Sequence, residues 1–425
     1  MIANNSGTKG SSTIYTGLLL NILMLLGLIG KANVGKSTFF NAATDLDVQC
    51  RNYPFTTISP NVGITYARVR CVCREFGIQD NPVHSLCIDG IRFIPVRLMD
   101  IAGLIPGASK GKGLGNKFLD DARQADALIH VVDAAGSTDS EGRPVTPGTG
   151  DPLSDVQFVE EEFDQWLASM LTRDWNKLVR DSTSQSVKLE HMISARLSGL
   201  SINEIEIAGT IGELVPSAGE AAQWSEDKIL RFSKKLRVRS KPIVVAANKA
   251  DLLSAEHGVR RLSDTQESVV RCSSELELLL RRATKKKIIG YLPGDGNFRV
   301  NESASINEQQ KQALQKAHTF LSRYGSTGVQ EAINTAVFNS LKFIVVYPVE
   351  DELKLTDKKG NVLPDARLLP ANSTPRDLAE KIHAEIGKGF LYAIDARSKM
   401  RLGADYRLKN NDVIKIVSAT RSGRR

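Results

Sequence analysis

Gly30-Lys31-Ala32-Asn33-Val34-Gly35-Lys36-Ser37 decides how the rest of this chain is read. Two glycines followed by Lys-Ser at this spacing make a phosphate-binding loop. Met24-Leu25-Leu26-Gly27-Leu28-Ile29, a short apolar run, stands immediately before it and reads as a buried strand. Glycine lets the backbone curl without a Cβ clash. Successive N–H groups then turn inward and form an anion nest at a helix N-terminus. On this reading Gly30, Asn33, Val34, Gly35, Lys36, Ser37 and Thr38 hold the phosphates of a nucleotide. Lys36 reaches the β- and γ-phosphates, and Ser37 gives its hydroxyl to Mg²⁺.

Two further segments follow in the order a guanine-nucleotide site uses. Asp100-Ile101-Ala102-Gly103 closes the run Ile94-Pro95-Val96-Arg97-Leu98-Met99. A carboxylate at a strand end holds Mg²⁺, often through water, and Gly103 has no side chain to keep its N–H from the γ-phosphate. A strand-end Asp that only caps the next turn is the plainer reading, outweighed here by the P-loop upstream. Asn248-Lys249-Ala250-Asp251 closes the run Pro242-Ile243-Val244-Val245-Ala246-Ala247. Guanine presents two adjacent donors, N1–H and the 2-amino group, and a carboxylate accepts both. Adenine offers an acceptor at N1, so Asp251 selects GTP over ATP.

Around these segments the wording resembles the Obg-related GTPases. Asn52-Tyr53-Pro54-Phe55-Thr56-Thr57-Ile58-Ser59-Pro60-Asn61 is similar to their switch I. Asp100 to Ala108 and Gly111-Lys112-Gly113-Leu114-Gly115 are similar to switch II, and Ser273-Ser274-Glu275-Leu276 to the last base-contacting loop. Tyr291-Leu292-Pro293-Gly294-Asp295 and the C-terminal region resemble the YchF branch, which ends in a TGS domain. Many YchF-type proteins lack a clean Asn-Lys-x-Asp and are associated with ATP. This chain keeps it, as an archaeal-type subgroup does. The resemblance implies Thr57 as the Mg²⁺-binding threonine of switch I, with Thr56 as the alternative. Metal ligands are then Ser37, Thr57 and Asp100, and the catalytic set is Lys36, Gly103 and Thr57. It implies base contacts from Asn248, Lys249, Asp251, Ser273, Ser274 and Glu275. Leu104 stands where many GTPases carry the water-orienting Gln, which places the chain in the hydrophobic-substituted class. Asn33 then has two readings: ligand of a K⁺ ion that plays the arginine finger's part, or simple brace of the loop.

The expected fold is α/β: a doubly wound P-loop GTPase sheet with a helical insertion and a small C-terminal β-grasp (TGS) domain. The expected domains are an extension over 1–23, the GTPase domain over 24–152 and 236–341, and the insertion over 153–235. The TGS domain covers 342–420, and a basic tail covers 421–425. Leu128-Ile129-His130-Val131-Val132-Asp133 reads as another core strand, with His130 packed rather than catalytic. Val156, Val159, Phe163, Trp166, Met170 and Leu178 recur every three or four residues, and Ser154 and Gln157 have capping-box spacing. Trp166 and Trp175 read as core of that insertion. Lys359-Gly360-Asn361 reads as a hairpin turn, Pro375 to Glu385 as a helix, and Val413 to Val417 as a final strand.

The chain has 425 residues, 41% of them hydrophobic, enough for sizeable cores. Its five cysteines are few for a secreted scaffold, which points to reducing cytoplasm. Cys71-Val72-Cys73 is one residue too tight for the usual metal or redox pair, so bystander thiols are expected. Leu18 to Ile29 is too short to span a membrane and runs into the P-loop, where signal cleavage would destroy the site. Met24 as the native start is the simplest account of residues 1–23. The net charge is +8. Basic residues cluster at Arg231, Lys234, Lys235, Arg237, Arg239 and Lys241, at Arg281, Arg282, Lys285, Lys286 and Lys287, and at Arg421, Arg424 and Arg425. Any one cluster can be a solvated helix face; three beside a TGS-like module point to RNA, and the family resemblance makes that the ribosome. A slow GTPase switch, a nucleotide-holding scaffold with little turnover, and an ATPase as in other YchF-type proteins are the functions in play.

Overall fold

The computed structural model describes residues 23–44, 57–59, 61–101, 121–197, 200, 202, 204–214, 221 and 224–419. The apolar run ahead of the P-loop is β1 (Leu25–Ile29), every residue of it buried, and the P-loop opens α1 (Lys36–Thr44). Next come β2 (Thr57–Ser59), β3 (Val62–Arg70), the single-turn α2 (Cys73–Phe76), β4 (Leu86–Ile88), β5 (Ile91–Asp100) and β6 (Ala127–Asp133). Between β6 and β7 (Ile243–Asn248) the described residues form α3 (Pro152–Thr172), α4 (Trp175–Ser184), α5 (Leu189–Arg196), α6 (Glu204–Leu214) and α7 (Glu226–Ser240). Then follow α8 (Ala255–Thr265), β8 (Val269–Arg271) and α9 (Ser274–Lys285).

The strands lie in the order β2-β3-β5-β1-β6-β7-β8, with β4 paired to β5. The five from β5 to β8 run parallel, and β3 returns antiparallel along β5. Register matters for function. Leu28 pairs with Asp100, Ile29 with His130, and Asp133 with Asn248. The P-loop, Asp100, Asp133 and Asn248 are thereby gathered at the carboxyl ends of adjacent parallel strands, where doubly wound sheets bind ligands.

The helices between β6 and β7 have their own core. Trp175 and Trp224 stack at 4.9 Å, Phe232 packs against both, and Trp175 Nε1 donates to Ala221 O at 2.8 Å. Trp166 is only partly buried, edge-on to Phe163 at 5.5 Å. The capping box expected at Ser154 does not form. The helix starts earlier: Pro152 takes the first turn, and the Asp151 carboxylate accepts from Leu153 N at 3.1 Å and Ser154 Oγ at 2.9 Å. Proline's fixed φ and missing N–H suit that position.

Past α9 the chain forms a short ribbon of β9 (Ile289–Gly290) and β10 (Arg299–Val300), then α10 (Glu308–Tyr324) and α11 (Val329–Asn334). A π-helical turn over Thr335–Ser340 leads into the second sheet. That sheet has the order β12 (Arg367–Pro370), β11 (Phe343–Val349), β15 (Asp412–Ser418), β13 (Phe390–Asp395), β14 (Arg401–Leu402). The turn at 359–361 is present, with Asp357 Oδ1 accepting from Lys359 N and Asn361 N, each at 2.9 Å. The helix expected from Pro375 to Glu385 is two: α12 (Pro375–Ile382) and α13 (Ala384–Lys388). His383 is extended between them (φ −165°, ψ 133°), and its ring nitrogen accepts from Glu385 N. One apolar core runs from Leu26, Leu28 and Phe39 beneath the P-loop to Val345, Tyr347 and Val413 of the second sheet.

Candidate nucleotide site

The P-loop backbone bears out its glycines where it bends. Gly30 has φ 149°, and a Cβ there would strike Val131 O; Gly35 has φ 94°, and a Cβ there would strike the Asn248 amide. Asn33 also sits at positive φ, 60°. Its Nδ2 donates to Gly142 O at 2.9 Å, tying the loop to the 136–150 segment after β6. Lys31 reinforces the tie through Asp139 O at 2.7 Å and an ion pair with Asp155, also 2.7 Å. Val34 is buried, Ser37 is exposed, and Thr38 is half-buried in the first turn of α1. Lys36 Nζ lies 2.5 Å from Asp100 Oδ1.

Asn248 joins the parts. It is 3% exposed; its Nδ2 donates to Val34 O at 2.8 Å, and its Oδ1 accepts from Ser274 N and Oγ, both at 2.9 Å. One side chain thus bridges the phosphate loop and the N-terminus of α9. Lys249, at φ 59°, reaches Asp133 Oδ2 at 3.0 Å and Ser137 Oγ at 2.9 Å. Asp251 Oδ1 accepts from Ser273 Oγ at 2.7 Å, and Oδ2 pairs with Lys316 of α10 at 2.5 Å. Ser273 is also the N-cap of α9, whose second residue, Glu275, is exposed. His130 is buried as expected, and burial, with Lys31 nearby, lowers its imidazole to about 3.

The P-loop, Asp100, Asn248 to Asp251 and Ser273 to Glu275 therefore stand together at the carboxyl end of the parallel strands. Thr57 begins β2, opposite Gly63. Gly103, Leu104 and Thr56, with most of both switches, fall outside the described residues, as do residues 1–22 and the basic tail. Asp133, Ser137, Asp155 and Lys316 are contacts that the sequence did not announce. Asp133 closes an apolar strand as Asp100 does, a signal that could have marked it. Lys316, on a helix 65 residues after Asp251, carries no local signal.

The basic clusters look different in three dimensions. Arg237 is buried on Asp164 at 2.6 Å, Lys241 is buried, and Lys235 and Arg239 both pair with Glu213. Arg237 and Lys241 are thus taken into the interior, Lys235 and Arg239 are paired at the surface, and Arg231 and Lys234 stay exposed. In the second, Arg281 is buried on Glu277 at 2.7 Å, while Arg282, Lys285, Lys286 and Lys287 remain on the surface at the end of α9. Among the described residues no helix is long and apolar enough to cross a membrane.

Known proteins with this arrangement are close in sequence. The 50S ribosome-binding GTPase family matches residues 25–167, the Obg-like GTPase YGR210-like, G4 motif-containing domain matches 246–351, and the TGS domain matches 359–418. An uncharacterized GTP-binding protein of Methanocaldococcus jannaschii is 50% identical over 94% of this chain and 100% of its own. The chain belongs to the YchF-like branch of the Obg-family GTPases. Another YchF-type relative, the ribosome-binding ATPase YchF of Bacillus subtilis, is 30% identical over 72% of this chain and 78% of its own. The crystal structure of a GTP-binding protein from Pyrococcus horikoshii is similar across 93% of this chain and 100% of that one, with 41% identity and a TM-score of 0.75. Its family is one of P-loop nucleoside-triphosphatases, which generally use Mg²⁺.

Proposed function

We propose that this protein binds GTP, hydrolyses it slowly to GDP and phosphate, and uses the change to govern its association with the ribosome. The supporting observation is the Asn248 bridge, which ties the phosphate loop to the N-terminus of α9, where Ser273 in turn donates to Asp251. Guanine N1–H and its amino group would be taken by the Asp251 carboxylate, and Lys316 would yield its contact there to the base. Ser273, Ser274 and Glu275 would line the same face. Gly30, Asn33, Val34, Gly35 and Thr38 would surround the phosphates with Lys36. Ser37, Asp100 and Thr57 would hold Mg²⁺, which would supply positive charge against the phosphates.

In hydrolysis, water adds to the γ-phosphorus, the bond to the β–γ bridging oxygen breaks, and the water's protons pass to phosphate and solvent. Lys36 and the Gly103 N–H would steady the γ-phosphoryl oxygens. Leu104 has no group with which to orient the water, so turnover should be slow without a partner. Asn33 keeps its two readings. Its Nδ2 contact with Gly142 O supports the brace, while its Oδ1 suits a K⁺ ligand. We take 24–152 with 236–341 as the nucleotide unit and 342–420 as the TGS unit, working in the cytoplasm. The ribosome as partner rests on what the YchF relatives are called and on the basic end of α9. The same relatives keep an ATPase as the second reading.

A nucleotide panel separates the two. Asp251→Asn turns one acceptor into a donor facing guanine's donors. GTP affinity should fall at least tenfold, about 1.4 kcal/mol, while ATP affinity does not fall comparably. In parallel, Lys36→Ala should abolish hydrolysis, and ribosome co-sedimentation should differ between GTP and GDP. Equal weakening of both nucleotides, or tighter ATP binding by the wild type, would overturn the guanine assignment.

A further inference from the structure

At the end of β3 the chain turns through Cys71 and Val72 into α2, which starts at Cys73. Alone, these two cysteines are too tightly spaced for a usual metal pair. The fold adds two more groups: Asp80 from the loop after α2, and Cys87 from β4, which is held along β5. One ligand atom from each of the four residues lies within 4.8 Å of the others. Cys71 Sγ is 3.2 Å from Asp80 Oδ2, and Cys73 Sγ is 3.8 Å from Cys87 Sγ. Ligands about 2.3 Å from a tetrahedral metal stand about 3.8 Å apart, so the sulfur pair already spans a tetrahedral edge. It is far from the roughly 2.05 Å of a disulfide. Cys71, Cys73 and Asp80 are buried, and Cys87 is half-buried.

The surroundings suit anionic sulfur. Arg92 of β5 is fully buried; its Nε and Nη2 each lie 3.4 Å from Cys71 Sγ, and Nη2 donates to Asp80 Oδ2 at 2.8 Å. A buried guanidinium cannot shed its proton, so it stabilises thiolate and carboxylate beside it. Three thiolates and a carboxylate carry four negative charges; a divalent ion and Arg92 offset three of them. Thiolate-rich, four-coordinate and closed, the set fits zinc and leaves no position for a substrate, which marks a structural site. The same loop is a docking platform. Asn81 N donates to Val362 O at 3.1 Å, Val83 N to Pro364 O at 2.8 Å, and His84 Nδ1 lies 2.7 Å from Asp365 Oδ1. Arg92 adds Nη1 and Nη2 contacts to Leu363 O at 3.2 and 3.1 Å.

We propose that Cys71, Cys73, Asp80 and Cys87 bind one structural zinc ion, which fixes the loop that docks the C-terminal TGS unit onto the nucleotide-binding sheet. Binding releases the thiol protons to solvent.

The test uses the full chain, expressed in zinc-supplemented medium and purified under reducing conditions without chelators. Elemental analysis should find about one zinc per chain. Anaerobic Co²⁺ titration of the metal-stripped, reduced chain should give a sulfur-to-cobalt charge-transfer band with the ligand-field bands of a tetrahedral site, both erased by Zn²⁺. Cys87→Ser and Cys73→Ser should lose these bands, and Cys272→Ser, buried elsewhere, should keep them. Stripping the metal should speed proteolytic release of the C-terminal unit, and zinc should reverse it. If the serine variants do not fold, wild-type stoichiometry and the cobalt spectrum still decide. A zinc-free chain whose reduced thiols give no cobalt band overturns the site, as does a native Cys73–Cys87 disulfide that takes up no metal after reduction. Metal bound without effect on release of the C-terminal unit overturns the docking role.

Discussion

Asn33 and His130 show how much one residue's surroundings decide. Asn33 is held at positive φ with its amide nitrogen on Gly142 O, so it braces the P-loop whether or not a cation joins it. If K⁺ supplies the missing positive charge, hydrolysis is faster in K⁺ than in Na⁺ at matched ionic strength, by severalfold to roughly 10³-fold. Asn33→Ala then removes the difference and leaves GTP binding largely intact. Equal rates in both salts, with ribosomes and without, would leave the brace alone standing. His130 gives a pH prediction. Its imidazole falls from 6.5 to about 3 because it is buried, with Lys31 adding repulsion. Above pH 6.5 neither the folded nor the unfolded chain holds the proton, and the folded state keeps its full stability. As pH falls from 6.5 towards 3 only the unfolded chain takes the proton. Stability should therefore drop with falling pH by up to about 1.4 kcal/mol per unit. Urea titrations of wild type and His130→Asn check this: the variant should show an acid limb flatter by up to one proton.

At the scale of elements, helix starts do two jobs. Ser273 caps α9 and at the same time donates to Asp251, so the helix that lines the base site is positioned by the residue that orients its acceptor. Asp151 has the simpler task of starting α3, the first helix of the segment between β6 and β7. Its carboxylate holds Leu153 N and Ser154 Oγ and pairs with Arg261 of α8 at 3.0 Å. Asp151→Ala should cost about 1 kcal/mol, the usual worth of a cap. Hydrogen exchange should quicken in the first turn of α3 and stay unchanged in β6. Uniform change across the domain would mean that the cap is not what was lost.

Across the whole molecule the two sheets share an apolar core, and Arg92 is the buried charge between them. It joins Asp80, Cys71 and Ser85 on the nucleotide-binding side to Leu363 O on the other, and stacks over Tyr347 at 5.4 Å. In the metal-stripped chain Arg92→Met leaves Asp80 buried without its guanidinium partner, which costs roughly 3–5 kcal/mol. Denaturation should separate into two transitions as the C-terminal unit comes free of the other. A single transition with an unmoved midpoint would show that the apolar core alone couples them. Around the edge of this junction, Glu75 and Arg397 form a two-pronged pair at 2.6 and 2.8 Å. Half-exposed, it adds little beside Arg92.

Sequence by itself determined the family and the P-loop GTPase fold, because each motif is a short stretch whose backbone conformation and donor pattern are local. Glycines that must bend, a lysine and serine at the head of a helix, and an acidic residue at a strand end need no distant partner to be recognised. The alternation of apolar runs with helical periods likewise set the α/β order. What only the tertiary structure decided depends on residues far apart in the chain. Asn248 reaches Val34 across 214 positions, and Lys316 reaches Asp251 across 65. A charge cluster legible as one binding face proved divided: Arg237 and Lys241 are buried, and Lys235 and Arg239 pair with Glu213 at the surface. Cys71 and Cys73 looked idle until folding set Asp80 and Cys87 beside them. In each case the side chain's role is fixed by what packs against it, and the packing of strands and helices, not sequence distance, sets that partner.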